Sequence, residues 1–338
     1  MLTAIDLYCG AGGLTEGLKQ AGFSVIGAVD ISPLAVEAYE ANHSETVVWR
    51  RDLRRLSPDE VMRRLGIAPG DLDLLAGCPP CQGFSSMRTR RQATYIEDRR
   101  NALVARFAGF AEALEPRALM MENVPALRED RRLKLMLARL RKRGYEVSYD
   151  VLDAADYGVP QRRRRFVLIA LRHDTVTFAP RTQATATVSD ALQGLPPAGK
   201  SSDPLHDHGE RRSRAVRELI SEIPRDGGSR SSLARDRQLR CHRRVAGWYD
   251  VYGRMKWGRL APTITGGCIN PSKGRFLHPD ENRAITLREA ALLQSFPPDY
   301  KFPLTRGKYQ AADLIGNALP PRFVAPQARQ IAAALQAA

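Results

Sequence analysis

The sequence predicts an α/β domain built on a largely parallel sheet, with a loop-rich region inserted before a helical tail. Three observations predict it. Over the first 175 residues, short apolar runs of β type alternate with amphipathic helical stretches; a glycine cluster directly follows the first such run; and from 179 to 261 the apolar periodicity fails, with Pro, Gly, Ser and Arg dominating. The stretch Trp248-Tyr-Asp-Val-Tyr-Gly253 and the nearby Trp257 favour order in that region, because disordered segments are poor in aromatics.

The elements follow in order. Residues 3–8 read as a strand that runs into Cys9-Gly-Ala-Gly-Gly13, and 14–21 as a helix. A strand at 24–29 ends on Asp30, and Pro33 starts a helix through about Asn42. Residues 47–49 and 72–76 are the third and fourth strands, the latter broken by Gly77-Cys-Pro-Pro-Cys81. Helical spacing over 101–114, a buried strand at 118–121, a helix over 133–143 capped by Gly144, and strands at 145–152 and 165–171 complete the set. Helices at 286–294 and 321–335 form the tail.

The chain has 338 residues, with 52 Lys and Arg against 37 Asp and Glu, a formal net charge of +15. At 43% hydrophobic residues there is enough apolar side chain to offset the entropy of ordering, which excludes disorder of the whole chain. No stretch approaches the roughly 18 to 20 apolar residues of a spanning helix, so no integral membrane role is expected. Met1-Leu-Thr-Ala-Ile-Asp6 lacks the basic and apolar regions of a secretory signal, so the expected setting is the cytoplasm. Five cysteines in such a chain argue against a disulfide framework. The charge favours a polyanionic partner over mere solubility.

Glycines 10, 12 and 13 let the backbone approach a ligand at the N-terminus of a helix. Asp30, about 20 residues on, is where an acid can hydrogen-bond a ribose hydroxyl pair. The residues themselves allow a dinucleotide, S-adenosylmethionine or a purely structural turn. Asp52 could accept from an adenine amino group or cap residues 53–56. Cys78-x-x-Cys81, after the fourth strand, lies where an open α/β sheet places its active site. A redox pair would not explain the charge, and Cys241 and Cys268 lack the close spacing of a zinc site, so no metal is expected.

Taken together, Asp6-Leu-Tyr-Cys-Gly-Ala-Gly-Gly13, Pro80-Cys-Gln-Gly-Phe-Ser85, Glu122-Asn-Val124, Gln161-Arg-Arg-Arg-Arg165, Arg288-Glu-Ala-Ala-Leu-Leu-Gln-Ser-Phe-Pro297 and Gly316-Asn-Ala-Leu-Pro-Pro321 resemble the DNA (cytosine-5)-methyltransferases, of the bacterial restriction-modification type. The segments occur in the family's order and span nearly the whole chain. The resemblance implies a Rossmann-like, S-adenosylmethionine-dependent methyltransferase domain over 1–178, a loop-rich target-recognition domain over 179–285, and a C-terminal segment over 286–338 that returns to the catalytic domain.

It also implies roles. Cys81 would attack carbon 6 of cytosine, since a thiolate combines nucleophilicity with later departure. Glu122 would donate a proton or hydrogen bond to N3, its pKa raised by burial behind a strand. In Gln161-x-Arg163-x-Arg165 an extended strand points both arginines to one face, and one of them, Arg165 first, would hold the cytosine O2 and DNA backbone. Asp6, Tyr8, Cys9, Gly10, Gly12, Gly13, Leu14, Asp30, Ile31, Asp52, Leu53, Pro80, Asn317 and Ala318 match the cofactor positions. On the substrate side stand Gln82, Ser85 and Asn123, the last holding the loop through backbone hydrogen bonds. Arg240, Arg243, Arg244, Arg254 and Lys256 are the first candidates for DNA recognition, with Thr265 supporting the flipped-out strand. The polar, Arg-rich segment 86–100 reads as a loop that closes over DNA.

The expected partner is double-stranded DNA, bound by a monomer associated with the bacterial nucleoid, beside a cognate restriction endonuclease. Rival readings are a tRNA cytosine-5 methyltransferase on the same scaffold, a catalytically inactive DNA-binding module, and an NAD oxidoreductase.

Overall fold

A computed structural model gives the fold and describes residues 1–80, 102–239, 241, 242 and 250–337. In chain order the strands are β1 (Leu2–Leu7), β2 (Phe23–Asp30), β3 (Val47–Arg50), β4 (Leu74–Gly77), β5 (Ala118–Asn123), β6 (Tyr145–Asp153) and β7 (Arg164–Arg172). The helices are α1 (Gly13–Gln20), α2 (Pro33–Glu40), α3 (Pro58–Leu65), α4 (Ala102–Leu114), α5 (Arg131–Lys142), α6 (Val188–Leu192), α7 (Arg214–Glu222), α8 (Leu287–Leu293), α9 (Lys308–Asn317) and α10 (Pro321–Ala337). By their contacts the residues form two compact units, one of 1–157, 164–182 and 319–338, the other of 158–163 and 183–318. Residues 286–318 thus group with the second unit.

The first unit holds one seven-stranded sheet in the order β3-β2-β1-β4-β5-β7-β6. β1 pairs in parallel with both β2 and β4, and β5 in parallel with β4, whereas β7 runs antiparallel to β5 and β6. The chain winds outward from β1 to β3 and then restarts at β4 on the other side. That reversal opens a crevice at the C-terminal ends of β1 and β4. The strands are apolar along their length, as strands covered on both faces must be: Ile5, Leu7, Leu75, Leu119, Phe166 and Leu168 are fully buried, against Phe107 and Phe110 of α4 and Leu140 of α5. Each such side chain stabilises the fold by roughly 1.5 to 3 kcal/mol. On another side of the unit α10 packs on α1, and a Cβ on Gly17 would lie 2.4 Å from the Val324 Cβ, so only glycine permits this approach.

The second unit is loop-rich, with a small core of Leu219, Ile220, Ile223, Val251, Tyr252 and Leu277. It contains α8, whose N-terminus carries a reciprocal cap between Thr286 and Glu289. No helix among the described residues is long and apolar enough to cross a membrane.

Candidate active site

The crevice between β1 and β4 is lined first by the glycine turn. Tyr8 and Gly10 adopt positive φ, 65° and 54°, and Gly12 caps α1 at 91° with no side chain serving the cap. A Cβ on Gly10 would meet nothing within 4 Å, so open space lies beside the turn. Asp30 ties the turn to β2: its carboxylate accepts the Gly10 N–H at 3.0 Å on one oxygen and the Ser32 N–H at 2.8 Å on the other. The Ile31 N–H also bonds this carboxylate, whose roughly four lone-pair sites still leave room for a further donor. Burial pushes the Asp30 pKa up, while these N–H groups oppose that. Ile31, next in sequence, is 63% exposed, an apolar side chain left in the open beside the carboxylate.

Beneath the turn lies Asp6, wholly buried. Thr15 Oγ1 donates to its Oδ2 at 2.8 Å and sits 2.9 Å from the Tyr39 hydroxyl, and Asp6 Oδ1 has no hydrogen-bond partner among the described residues. Burial raises its pKa to about 7. Cys9 and Leu14 are buried around it, and the Tyr8 hydroxyl donates to the Leu103 carbonyl at 2.8 Å. Thr15 and Tyr39 are neighbours of Asp6 that no spacing in the sequence pointed to.

Asp52 is committed to Arg54, which contacts it at 2.6 Å and holds its carboxyl below the usual range. The Arg54 N–H also donates to Asp52, so its geometry is that of a turn cap. Leu53 is buried.

Across the crevice, β4 ends in a tight approach to β1: the Cys78 N–H donates to the Leu7 carbonyl at 3.2 Å, and a Cβ on Gly77 would lie 2.7 Å from that oxygen. Pro79 is buried and Pro80 partly exposed. Asn123, at the end of β5, donates through Nδ2 to the Pro79 carbonyl at 2.9 Å, and its Oδ1 accepts the Val124 N–H at 2.9 Å. One residue earlier, Glu122 pairs with Arg165 Nε at 2.8 Å, both side chains largely buried. The antiparallel register of β5 and β7, with Glu122 opposite Val167, brings them together. Burial pushes the Cys78 thiol well up, assisted by the Glu122 charge to which it is hydrogen-bonded, so this cysteine is a neutral donor rather than a redox thiolate.

Two expectations need correction. Arg163 and Arg165 do not share a strand: β7 begins at Arg164, and Arg163 belongs to the second unit. Buried there, the Arg163 guanidinium donates to the carbonyls of Ile264, Gly316 and Ala318 at 2.9 to 3.1 Å, which makes it a brace for backbone. Gln161 braces the same region, donating to the Leu293 carbonyl and the Gln294 side chain and accepting from the Ile264 N–H. Arg254 is likewise no DNA contact. It is fully buried, and its guanidinium donates to the carbonyls of Ile220, Ile223, His278 and Glu281 and to Asn282 Oδ1. Burial lowers its pKa, helped by the Arg225 charge and opposed by that of Asp280.

Also in the second unit, Lys256, Thr265 and Asn317 are exposed and Ala318 is buried. Cys81, Gln82, Ser85, the segment 86–100, Arg240, Arg243 and Arg244 lie outside the described residues.

A sheet that reverses between β1 and β4, with a glycine turn on one side of the reversal and an antiparallel β7, defines a Rossmann-like methyltransferase. The C-5 cytosine-specific DNA methylase family matches residues 2–333. The type II methylase M.HgiDII of Herpetosiphon aurantiacus is 34% identical over 337 residues, 94% of this chain and 91% of its own. The type II methyltransferase M1.HphI of Haemophilus parahaemolyticus is 33% identical, over 95% of this chain and 84% of its own. Among solved structures, a putative DNA modification methyltransferase encoded within an E. coli prophage matches with a TM-score of 0.74 and 26% identity, over 99% of this chain and 100% of that one. The chain belongs to the C-5 cytosine-specific DNA methylases, and its activity is that of a DNA (cytosine-5)-methyltransferase.

Proposed function

We propose that Cys81 is the nucleophile that prepares a cytosine, flipped out of a specific double-stranded DNA sequence, for methylation at carbon 5. The observation that carries this reading is the pair Glu122 and Arg165 at the end of β5, beside an Asn123 that grips the Pro79 carbonyl two residues before Cys81.

Carbon 5 of cytosine is a weak nucleophile in an electron-poor ring. When the Cys81 sulfur bonds to carbon 6, the carbon 5–carbon 6 electron pair shifts into the ring and makes carbon 5 enamine-like. The charge that develops at N3 is met by a proton or hydrogen bond from Glu122. Arg165 keeps the Glu122 carboxyl oriented and can reach toward the ring oxygen with its remaining N–H donors. Once carbon 5 carries the methyl group, loss of its proton to water lets the carbon–sulfur bond break, restores the ring with any N3 proton returning to Glu122, and frees Cys81 as thiolate. A stacked base cannot be approached on both ring faces, hence the flip.

The residues of the first crevice fit S-adenosylmethionine. Asp30 has lone pairs left for ribose hydroxyls, Ile31 offers apolar surface for an adenine ring, and the cap of α1 presents backbone N–H groups to a carboxylate. S-adenosylmethionine supplies an electrophilic methyl group when bound. Asp6, Tyr8, Cys9 and Leu14 support the turn from below. Asn317 and Ala318 complete the assignment by their match to the family's final motif, and Thr265 stands on the substrate side, supporting the flipped-out strand.

The reading extends to a monomer acting on cytoplasmic, nucleoid DNA beside a restriction endonuclease, a setting supported by the type II designation of the relatives. Duplex DNA carrying 5-fluorocytosine at the target tests it, since fluorine cannot leave as a proton and the adduct is trapped. The wild-type protein should form a complex that survives denaturing electrophoresis, and Cys81→Ser should not. A complex that persists in Cys81→Ser would overturn the assignment.

A further inference from the structure

Helix α5 carries charge that neither the core nor the catalytic residues use. Its inner face, Leu133, Met136, Leu137 and Leu140, is buried in the sheet-covering core. From Arg131 to Arg143 there are seven cations and no acid in the sequence RRLKLMLARLRKR. Three of them are neutralised: Arg132 by Asp130 at 2.7 Å, Arg139 by Glu112 at 2.6 Å and Arg143 by Glu115 at 3.8 Å. Arg131, Lys134, Arg141 and Lys142 are exposed and form no ion pair among the described residues.

For two of them the placement works against the helix, whereas Arg141 and Lys142 lie in the last turn, where the macrodipole favours cations. Arg131 and Lys134 occupy the first turn, where cations oppose the macrodipole by about 0.3 to 1 kcal/mol each, and they repel one another at i,i+3 spacing. Arg131 and Lys134 break a local rule with no ion-pair partner among the described residues, so they point outward, to something bound. At 3.6 residues per turn the four cations fall within an arc of about 100° centred near the exposed Ala138, with Leu135, itself 56% exposed, at its edge. From Arg131 to Lys142 the face runs about 16 Å at 1.5 Å per residue, close to five base pairs of duplex. Only the short turn Pro125–Glu129 and its capping Asp130 separate α5 from the strand end that carries Glu122.

We infer that this face of α5 is a second DNA-contacting surface, which follows the phosphate backbone of the duplex flanking the target site. The inference rests on duplex DNA being the substrate. It commits to DNA because the stripe is purely cationic and unpaired among the described residues, and a second copy of a chain with net charge +15 would be repelled.

The experiment compares the full-length protein with the variant Arg131→Ala, Lys134→Ala, Arg141→Ala, Lys142→Ala. Affinity is measured by fluorescence anisotropy against potassium chloride, for a short duplex covering only the target and for one extended on both sides. Each phosphate contact contributes about 0.9 to the slope of log affinity against log salt. The variant should therefore have a slope shallower by about 2 to 4 than wild type on the long duplex, with the two proteins matching on the short one. Equal slopes on the long duplex would overturn the inference. So would a loss confined to structured RNA or to acidic peptides. Wild-type protein that binds no duplex at all would instead contradict the DNA substrate. Circular dichroism checks folding, and Lys134→Gln with Lys142→Gln replaces the quadruple variant if that one unfolds, with a slope reduction of about 1 to 2 expected.

Discussion

Asp6 is the carboxyl whose ionisation the structure opposes most plainly. Unfolded, it titrates near 3.8; folded, burial takes it to about 7, so between those values the folded state holds a proton that the unfolded state has lost. Its contribution to stability is complete below about pH 4 and is lost as pH rises through 7, a difference on the order of 4 kcal/mol. Buried His43, pushed down to about 4 by burial, gains stability over part of the same range, so the wild-type curve mixes the two. The difference between wild type and Asp6→Asn isolates Asp6. In urea denaturation, that difference should favour Asp6→Asn increasingly from pH 4 to 8; a constant difference would contradict the assignment. Arg254 makes the complementary case. Arg254→Met leaves its carbonyls without donors in the core of the second unit and should cost at least about 3 kcal/mol, measured by denaturation, with the buried charge itself gone. The sequence pattern could not separate Arg254 from a DNA-facing arginine, because both sit among aromatics in an Arg-rich stretch. Burial decides, and burial is a property of the folded unit.

The strands and helices that were legible are those whose apolar period is strong. The seven strands and the helices at α1, α2, α4, α5, α8 and α10 follow the alternation read from the chain, with ends displaced by at most two residues. α3 escaped because only Val61 of its eight residues is buried, although Ser57 and Gly66 at its ends are ordinary capping signals. The strand expected to run through Gln161 to Arg165 starts only at Arg164, since Gln161 and Arg163 are drawn to backbone carbonyls of the second unit. Glycines show how an element tolerates change. In α4 a Cβ on Gly109 would meet nothing within 4 Å, so Gly109→Ala should raise stability by about 0.5 to 1 kcal/mol. In α9 a Cβ on Gly316 would lie 2.1 Å from the Thr265 carbonyl carbon, so Gly316→Ala must displace backbone and should cost about 1 to 3 kcal/mol. Thermal unfolding of the two variants checks both signs at once.

Across the chain, the +15 charge is not spread without purpose. Some arginines are internal braces, as at 163 and 254; one pairs with the Glu122 carboxyl, at 165; and a row of cations unpaired among the described residues lines the outer face of α5. The glycine turn, Asp30 and the Glu122-Asn123 strand end were readable because each lies at the C-terminal end of a strand in an open α/β sheet. The ion pair of Glu122 with Arg165 and the grip of Asn123 on Pro79 were not, since they depend on antiparallel register between strands far apart in sequence. Bisulfite sequencing of DNA from cells expressing the protein tests the central claim most directly. Wild-type protein should leave cytosines unconverted at one recurring short sequence, and Cys81→Ser should leave none. Full conversion with active-site-intact protein, or methyl transfer found only in tRNA, would contradict the account.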